Sequence, residues 1–453
     1  MPADDVRSLA EEYWDILLEA NPTTATLLGD HRFDDRIEDL SAAAEATLRN
    51  QWTSIQDQLA TFETDALAAD DRVTHAQLGR ELADAVAAID QRLAELQSDQ
   101  MTSFHVGLLQ SMPVMGVSTP EQAQAIVERY RRIPTALEQA LERFRAGVAA
   151  GRTPARICID RSVNVVDGYL ASPLDQDVFV NLAGPEGWDG EAAWREQLTD
   201  VTRDIIRPGY QRLRDGLVEH LLPTARPDDR CGLSWLAEGP ALYTTFVNHH
   251  TTLELSPDEI HAIGVEQVNE RLPAEYAEVG GRLFGTSDVA AIFDRLRNDT
   301  ALRYQHGDEI MADARRALEA ATAVMPGWFG RLPMSPCRIE EVPEFLAADA
   351  PAAYYYPPAG DGSRPGTYYV NTHDPGEKNR YEAAAVGFHE AIPGHHLQLA
   401  IANELTELPR FRRQSLANTA YVEGWGLYAE RLADEMGLYT GDLDRLGMLT
   451  ADS

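Results

Sequence analysis

Apolar residues return every three or four positions along the first half of the chain, a period that only helices can bury. Between Val73 and Gln97, the residues Leu78, Leu82, Ala85, Ile89, Leu93 and Leu96 form one stripe, the pattern of an amphipathic helix with a single core-facing side. Start signals recur. Thr119 as N-cap, Pro120 at the first helical position and Gln122 complete a capping box, and Pro134 is expected to kink or divide the helix that follows. Ser256-Pro257-Asp258-Glu259 is a second capping box, opening a helix to about Arg271. Further helices are expected from Glu191 to Leu217, near 286–298 and at 307–324.

Only one stretch breaks this pattern. From about Cys337 to Asn371 the segments CRIEEV, AAYYY and TYYVN are short, β-branched or aromatic, and separated by Pro- and Gly-rich turns. The expectation is a mostly α protein: a large helical body with a deep cleft and a small antiparallel β-sheet beside its chemically important helix. Residues 1–225 read as an N-terminal helical region and 226–453 as a second region, with Pro223–Gly232 as the boundary and one continuous body overall.

Composition narrows the possible partners. With 453 residues the chain is long enough for a sizeable core. Its 73 acidic against 39 basic residues leave a net charge of −34, which opposes binding to nucleic-acid phosphates and anionic membranes. Three scattered cysteines without CxxC spacing exclude a disulfide scaffold and a thiolate metal site. The acidic start MPADDVRSLAEEYW has no apolar signal-peptide region, and no run approaches the roughly 18 apolar residues of a membrane span. A soluble cytoplasmic protein is the resulting expectation.

The chemistry concentrates near the C-terminus. Residues 387–398 read GFHEAIPGHHLQ and residues 421–430 read YVEGWGLYAE. His389, His395 and His396 flank Glu390 within eight positions, whereas the His249-His250 pair reads as chance among twelve histidines. In an HExxH helix two histidines one turn apart bind a metal and the intervening glutamate activates water. Here Pro393 stands where the second histidine belongs. On an unbroken helix His395 would lie about 240° around and roughly 9 Å along from His389. A wide bulge at Ile392–Gly394, which Pro393 and Gly394 favour, carries His395 to the metal. A simple proline kink selects His396 instead.

Glu423, on a later helix, is the candidate third ligand. Two histidines and a glutamate leave one zinc position open, the arrangement of catalytic sites. Glu390 is then the general base, and the oxyanion donor is expected among His396, Tyr421, Tyr428 and the earlier tyrosines. Glu430 reads as a surface or outer-sphere carboxylate. Thr367–Asn371 is expected to offer an open strand edge beside the metal, with Tyr368, Tyr369 and Asn371 contacting an extended substrate. Arg380, Arg412 and Arg413 are candidates for a terminal-carboxylate clamp.

At these residues the chain resembles the bacterial family catalogued as domain of unknown function 885. HEAIPGHHLQ and VEGWGLYAE look like its two most recognisable blocks. Similar too are NPTTATLLGDHRFDDR (21–36), HHTTLELSPDEIHAIG (249–264) and AYYYPPAGDGSRPGTYYVN (353–371), so the likeness runs through essentially the whole chain. Members of the family tend to continue beyond the point where this chain stops. The resemblance implies kinship with gluzincin metallopeptidases of the carboxypeptidase Taq type, whose G-H-x-L matches Gly394-His395-His396-Leu397 and favours His395 as ligand. It implies one Zn2+ per chain and carboxypeptidase or dipeptidase action on short peptides. A helical scaffold with a degenerate metal site, and a metal-dependent hydrolase of non-peptide esters or amides, are the alternatives.

Overall fold

The computed structural model describes residues 5–348 and 350–453; the first four residues of the acidic N-terminal stretch lie outside them. Two compact units emerge. The first comprises 1–245 with 359–364 and 407–412, and the second comprises 246–358, 365–406 and 413–453. The passage between them falls at Thr245–Phe246, inside a helix, and not at the Pro- and Gly-rich stretch 223–232.

The first unit is helical throughout its principal elements: α1 (Val6–Ala20), α2 (Ala42–Leu59), α3 (Ala69–Asp90), α4 (Pro120–Ala149) and α5 (Arg156–Ala171). The expected stripe buries Leu78 and Leu82 completely, although α3 ends at Asp90 and the stripe finishes in a short turn. The Thr119–Gln122 capping box is formed, and α4 runs across Pro134 as one element instead of dividing there. Its Ile126, Ile133, Leu137 and Phe144 pack with Phe179, Trp194 and Tyr210 into the larger core of this unit.

In the second unit the Ser256–Glu259 capping box opens a helix at Pro257. The helical path then continues through Gln267–Arg271 to Phe284, longer than its apolar pattern suggests. The elements that build the site are α6 (Gly239–Thr251), of which residues from 246 onward belong here, α7 (Gly307–Val324), and strands β1 (Cys337–Glu341), β2 (Ala353–Tyr356) and β3 (Gly366–Val370). They are followed by α8 (Ala383–Glu390), α9 (His395–Glu404), α10 (Thr419–Glu435) and α11 (Asp442–Asp452).

The sheet is mixed, not antiparallel. Its order is β1-β3-β2, with β1 and β3 parallel and β2 and β3 antiparallel. Strand directions alternate along the chain as in hairpins, but the third strand inserts between the first two and so shares the direction of β1. All five β3 residues are buried. Tyr368 and Val370 join a core with Ile310, Met311 and Ala314 of α7 and with Ala391 after α8, which seats the sheet beneath the histidine segment. Among the described residues no helix is long and apolar enough to cross a membrane, and Cys158, Cys231 and Cys337 are free thiols.

Candidate metal centre

The segment between His389 and His395 is a break between two helices, not a bulge within one. α8 stops at Glu390 and α9 starts at His395, and the Ile392–Pro393 peptide is cis. Pro393 has no N–H to give the His389 carbonyl. Gly394 lies so close to that carbonyl that a β-carbon would stand 1.7 Å from its oxygen. Close approach, and not a left-handed backbone, is therefore what requires glycine. The indole N–H of Trp425 donates to the carbonyls of Pro393 at 2.9 Å and Gly394 at 3.2 Å, and the Gly394 carbonyl also accepts from the Gln398 N–H of α9 at 3.2 Å.

His395 consequently meets His389 directly, with ring centroids 4.7 Å apart and nearly perpendicular. From α10, Glu423, Gly426 and Glu430 project along one face, as positions i, i+3 and i+7 must. Glu423 Oε2 lies 3.4 Å from His389 Nε2 and 3.6 Å from His395 Nε2. One ligand atom from each of the three residues lies within 4.8 Å of the other two. Zinc bonds of 2.0–2.2 Å place tetrahedral donors about 3.3–3.5 Å apart, so these residues fit such an ion with little movement. The Glu423 side chain is 57% exposed, leaving the centre accessible from solvent.

Glu430 is 4% exposed and lies behind the triad, its Oε1 accepting from His389 Nδ1 at 2.7 Å. It is therefore an interior partner of the first histidine and not a surface carboxylate. Of the two α10 glycines, only Gly426 touches this group, because Gly424 faces open space.

The electrostatics favour added positive charge. Burial opposes protonation of His389, yet Glu423 and Glu430, aided by the charge of Glu390, raise its pKa to about 10. The two histidines hold Glu423 far below the usual carboxylate range against its partial burial. Glu390 moves upward, chiefly through burial and further through the charges of Glu423 and Glu430, as suits a proton acceptor.

Other expected site residues have different surroundings. His396 is 1% exposed, and both of its nitrogens are used within the protein. Nε2 donates to the Ser335 carbonyl at 3.0 Å, and Nδ1 accepts from Tyr355 Oη at 2.8 Å. Burial lowers its pKa to about 4, so it is a neutral packing residue without a nitrogen to offer a substrate. Tyr421 is exposed and precedes Glu423 by two positions, about 200° around α10. That displacement separates it from the ligand face, and Tyr428 is likewise exposed.

The expected substrate strand is not open. β3 is paired on both edges, which removes it as an acceptor of an added strand. Tyr368 is buried in the core, and Tyr369 stacks on Tyr354 at 5.0 Å. Asn371 donates to the Ala347, Ala350 and Pro351 carbonyls, so it organises a turn. Arg380 pairs with Glu309 and donates to the Arg303 carbonyl. Arg412 reaches the carbonyl of Asp70 and the hydroxyl of Thr74, and Arg413 the carbonyl of Asn403.

One residue set aside in the sequence gains importance. His250, from α6, places Nδ1 2.9 Å from Thr419 Oγ1. Thr419 is one turn before Glu423 on the same face of α10. No local pattern announces this, because the two histidine regions lie far apart along the chain.

Comparison with curated proteins gives no significant match, whereas five solved chains match. One, described as a putative lipoprotein from Colwellia psychrerythraea, is 23% identical with a TM-score of 0.88, covering 99% of this chain and 80% of that one. Another, described as a putative lipoprotein of unknown function from Shewanella oneidensis, is 19% identical with a TM-score of 0.68, covering 99% and 81%. The likeness shows a common fold. The cytoplasmic expectation is withdrawn, because both of these neighbours are described as putative lipoproteins. The family described as Bacterial protein of unknown function (DUF885) matches residues 22–453, and the chain belongs to it.

Proposed function

We propose that the chain is a zinc-dependent hydrolase of peptide bonds in short peptides, with one zinc held by His389, His395 and Glu423. The spacing of Glu423 Oε2 from the two imidazole Nε2 atoms, 3.4 and 3.6 Å, carries this reading. When bound there, zinc supplies Lewis acidity that polarises a carbonyl and acidifies water. Glu430 holds the Nδ1 proton of His389 and so directs Nε2 forward. Glu390 takes a proton from the attacking water and delivers it to the leaving amine as the C–N bond breaks.

His250 replaces His396 and Tyr421 as the candidate donor to the carbonyl oxygen, on the strength of its seat beside the ligand face of α10. The nearby edge strand is β2, whose Tyr355 ring lies 6.5 Å from that of His395; it is the edge to which an extended peptide would add in a zincin-like arrangement. Short peptides and exopeptidase action rest on the family resemblance, since Arg380, Arg412 and Arg413 are engaged within the protein. The acidic surface favours cationic peptides over nucleic acid or anionic membrane.

The test is elemental analysis combined with a peptide panel at neutral pH. Protein purified without chelator should carry about one zinc, as expected for an open two-histidine, one-carboxylate set. Glu423→Ala should lose it, while Glu390→Gln should keep the metal and lose turnover. His250→Gln should keep the metal and lower kcat by about 10²-fold, the scale of one lost oxyanion donor. Equal metal loss in the Glu423 and Glu390 variants would sink the division into ligand and base, and no metal in the parent would leave a helical scaffold. Faster cleavage of simple esters than of any peptide would move the reaction to another hydrolase class.

A further inference from the structure

The sequence blocks 21–36 and 353–371 meet at His31. The loop of residues 359–364 joins β2 to β3, and it belongs to the first unit, as His31 does. Its Gly360 N–H donates to the Leu28 carbonyl at 2.8 Å. Close by, His31 Nδ1 lies 2.8 Å from Asp34 Oδ2, and Nε2 lies 3.3 Å from Asp361 Oδ2. The His31 side chain is 21% exposed and that of Asp34 only 4%.

Both partners of the ring are carboxylates, which in the ionised state only accept. Each gives its other oxygen to its own segment. Asp34 Oδ1 accepts from the Thr26 hydroxyl at 2.6 Å, and Asp361 Oδ1 from the Ser363 hydroxyl and N–H at 2.6 and 2.9 Å. Two bonds from the ring therefore need two N–H groups, which only the imidazolium has. A neutral imidazole turns a lone pair to one of the carboxylates. Asp34 foremost, and then Asp361, raise the pKa of His31 above its ordinary 6.5, although burial opposes this. The other charged groups of this corner face elsewhere. Arg129 of α4 stands 3.9 Å from Asp34 Oδ1, the oxygen turned away from His31. Asp30 pairs with Arg32 and has Arg410 at 4.0 Å, and Arg364 donates to the Leu27 carbonyl.

We propose that the imidazolium of His31 is a latch on the β2–β3 connection, closed while the ring carries both protons and released when one leaves. The closed form binds the proton more tightly than the open one. The latch is therefore at full strength below pH 6.5 and weakens as pH rises through the raised pKa. Release frees the loop first and then the adjoining end of β2, where Tyr356 pairs with Thr367. The same strand carries Tyr355, whose ring lies 6.5 Å from that of His395, so the proton has a route to the metal centre along one short strand.

Amide hydrogen exchange of the full chain tests this, read on peptides spanning 353–370 from about pH 6 to 9 and divided by the intrinsic rate at each pH. An NMR titration of the His31 ring accompanies it. Protection should begin to fall near pH 6.5 and level off beyond the titration of His31. The total fall should be about tenfold for each unit by which that titration lies above 6.5. Asp361→Asn should remove the dependence and hold protection at its acid level, because the new amide donates to Nε2 of a neutral ring. His31→Gln should give a flat profile at or below the alkaline level of the parent. Glu423→Ala should keep the transition, which separates the latch from the metal centre. Should His31→Gln fail to fold, the Asp361→Asn profile decides. A flat parent profile, a His31 titration at or below 6.5, or a transition that survives in Asp361→Asn or vanishes in Glu423→Ala would each overturn the proposal.

Discussion

Gly426 lies against the imidazole of His389 so closely that a β-carbon there would stand 2.6 Å from the ring atoms Cε1 and Nε2. The ring fits between Glu423 and Glu430 only because the intervening position on that face of α10 has no side chain. Gly426→Ala should therefore displace His389, lower metal content and destabilise the protein by about 1–3 kcal/mol, as overpacking does. Gly424→Ala enters open space and should stabilise by about 1 kcal/mol through helix propensity. Urea denaturation and metal analysis of the two variants check this, and equal behaviour would refute the packing argument.

Glu430 acts on the metal through His389. Glu430→Gln keeps the shape but loses the charge that accepts the Nδ1 proton. Metal affinity should fall by about 10–100-fold, as for other carboxylates hydrogen-bonded to ligand histidines. A competition titration with a chromophoric chelator measures it, and unchanged affinity would remove Glu430 from the site.

The adjacent histidines should separate cleanly. His395→Ala removes a donor and should abolish metal binding. His396→Ala removes the donor to the Ser335 carbonyl and the imidazole acceptor of the Tyr355 hydroxyl. It should cost about 1–3 kcal/mol of stability for the two hydrogen bonds lost while keeping the metal. Metal analysis beside thermal unfolding distinguishes the two outcomes, and loss of metal in the His396 variant with full stability would reverse the assignment.

Acid sensitivity should come in part from His105, in the first unit. The ring is wholly buried, with Nε2 2.7 Å from Ser162 Oγ and Nδ1 lacking a partner. Burial lowers its pKa from 6.5 to about 4. Between these values the unfolded chain binds a proton that the native chain refuses. The stability held by neutral His105 is complete above pH 6.5 and declines as pH falls toward 4, by about 3 kcal/mol in all. His105→Gln should flatten that part of the profile. Parallel stability curves from pH 7 to 4.5 for parent and variant would contradict it.

Much of this was legible in residue order. Period-three-and-four stripes and two capping boxes locate helices because the signals are local, and α4 and the helix at Pro257 start at the marked residues. The three sheet segments were equally plain, but their order was not, since inserting β3 between β1 and β2 is a choice of tertiary packing. Pro393 announced that a regular helix fails after Glu390. It did not specify the form of the break, which depends on Gly394 against a carbonyl and on a tryptophan from α10. His396 and His250 carry the same lesson. Each is defined by a partner distant in sequence, Ser335 for one and Thr419 for the other, so no window around either could show that one is engaged and the other placed beside the ligand face.

Trp425 gives the site a kinetic character. Its indole clasps the two carbonyls of the turn that spaces the histidines, and neighbouring positions of α10 supply Glu423, the gap at Gly426 and Glu430. Undocking this one helix would take away a ligand, a supporting carboxylate and the clasp together. Metal escape should therefore follow the opening of α10 and not the breaking of single bonds. Its rate should track amide hydrogen exchange along Thr419–Glu435, slowing and quickening with it across temperature and denaturant.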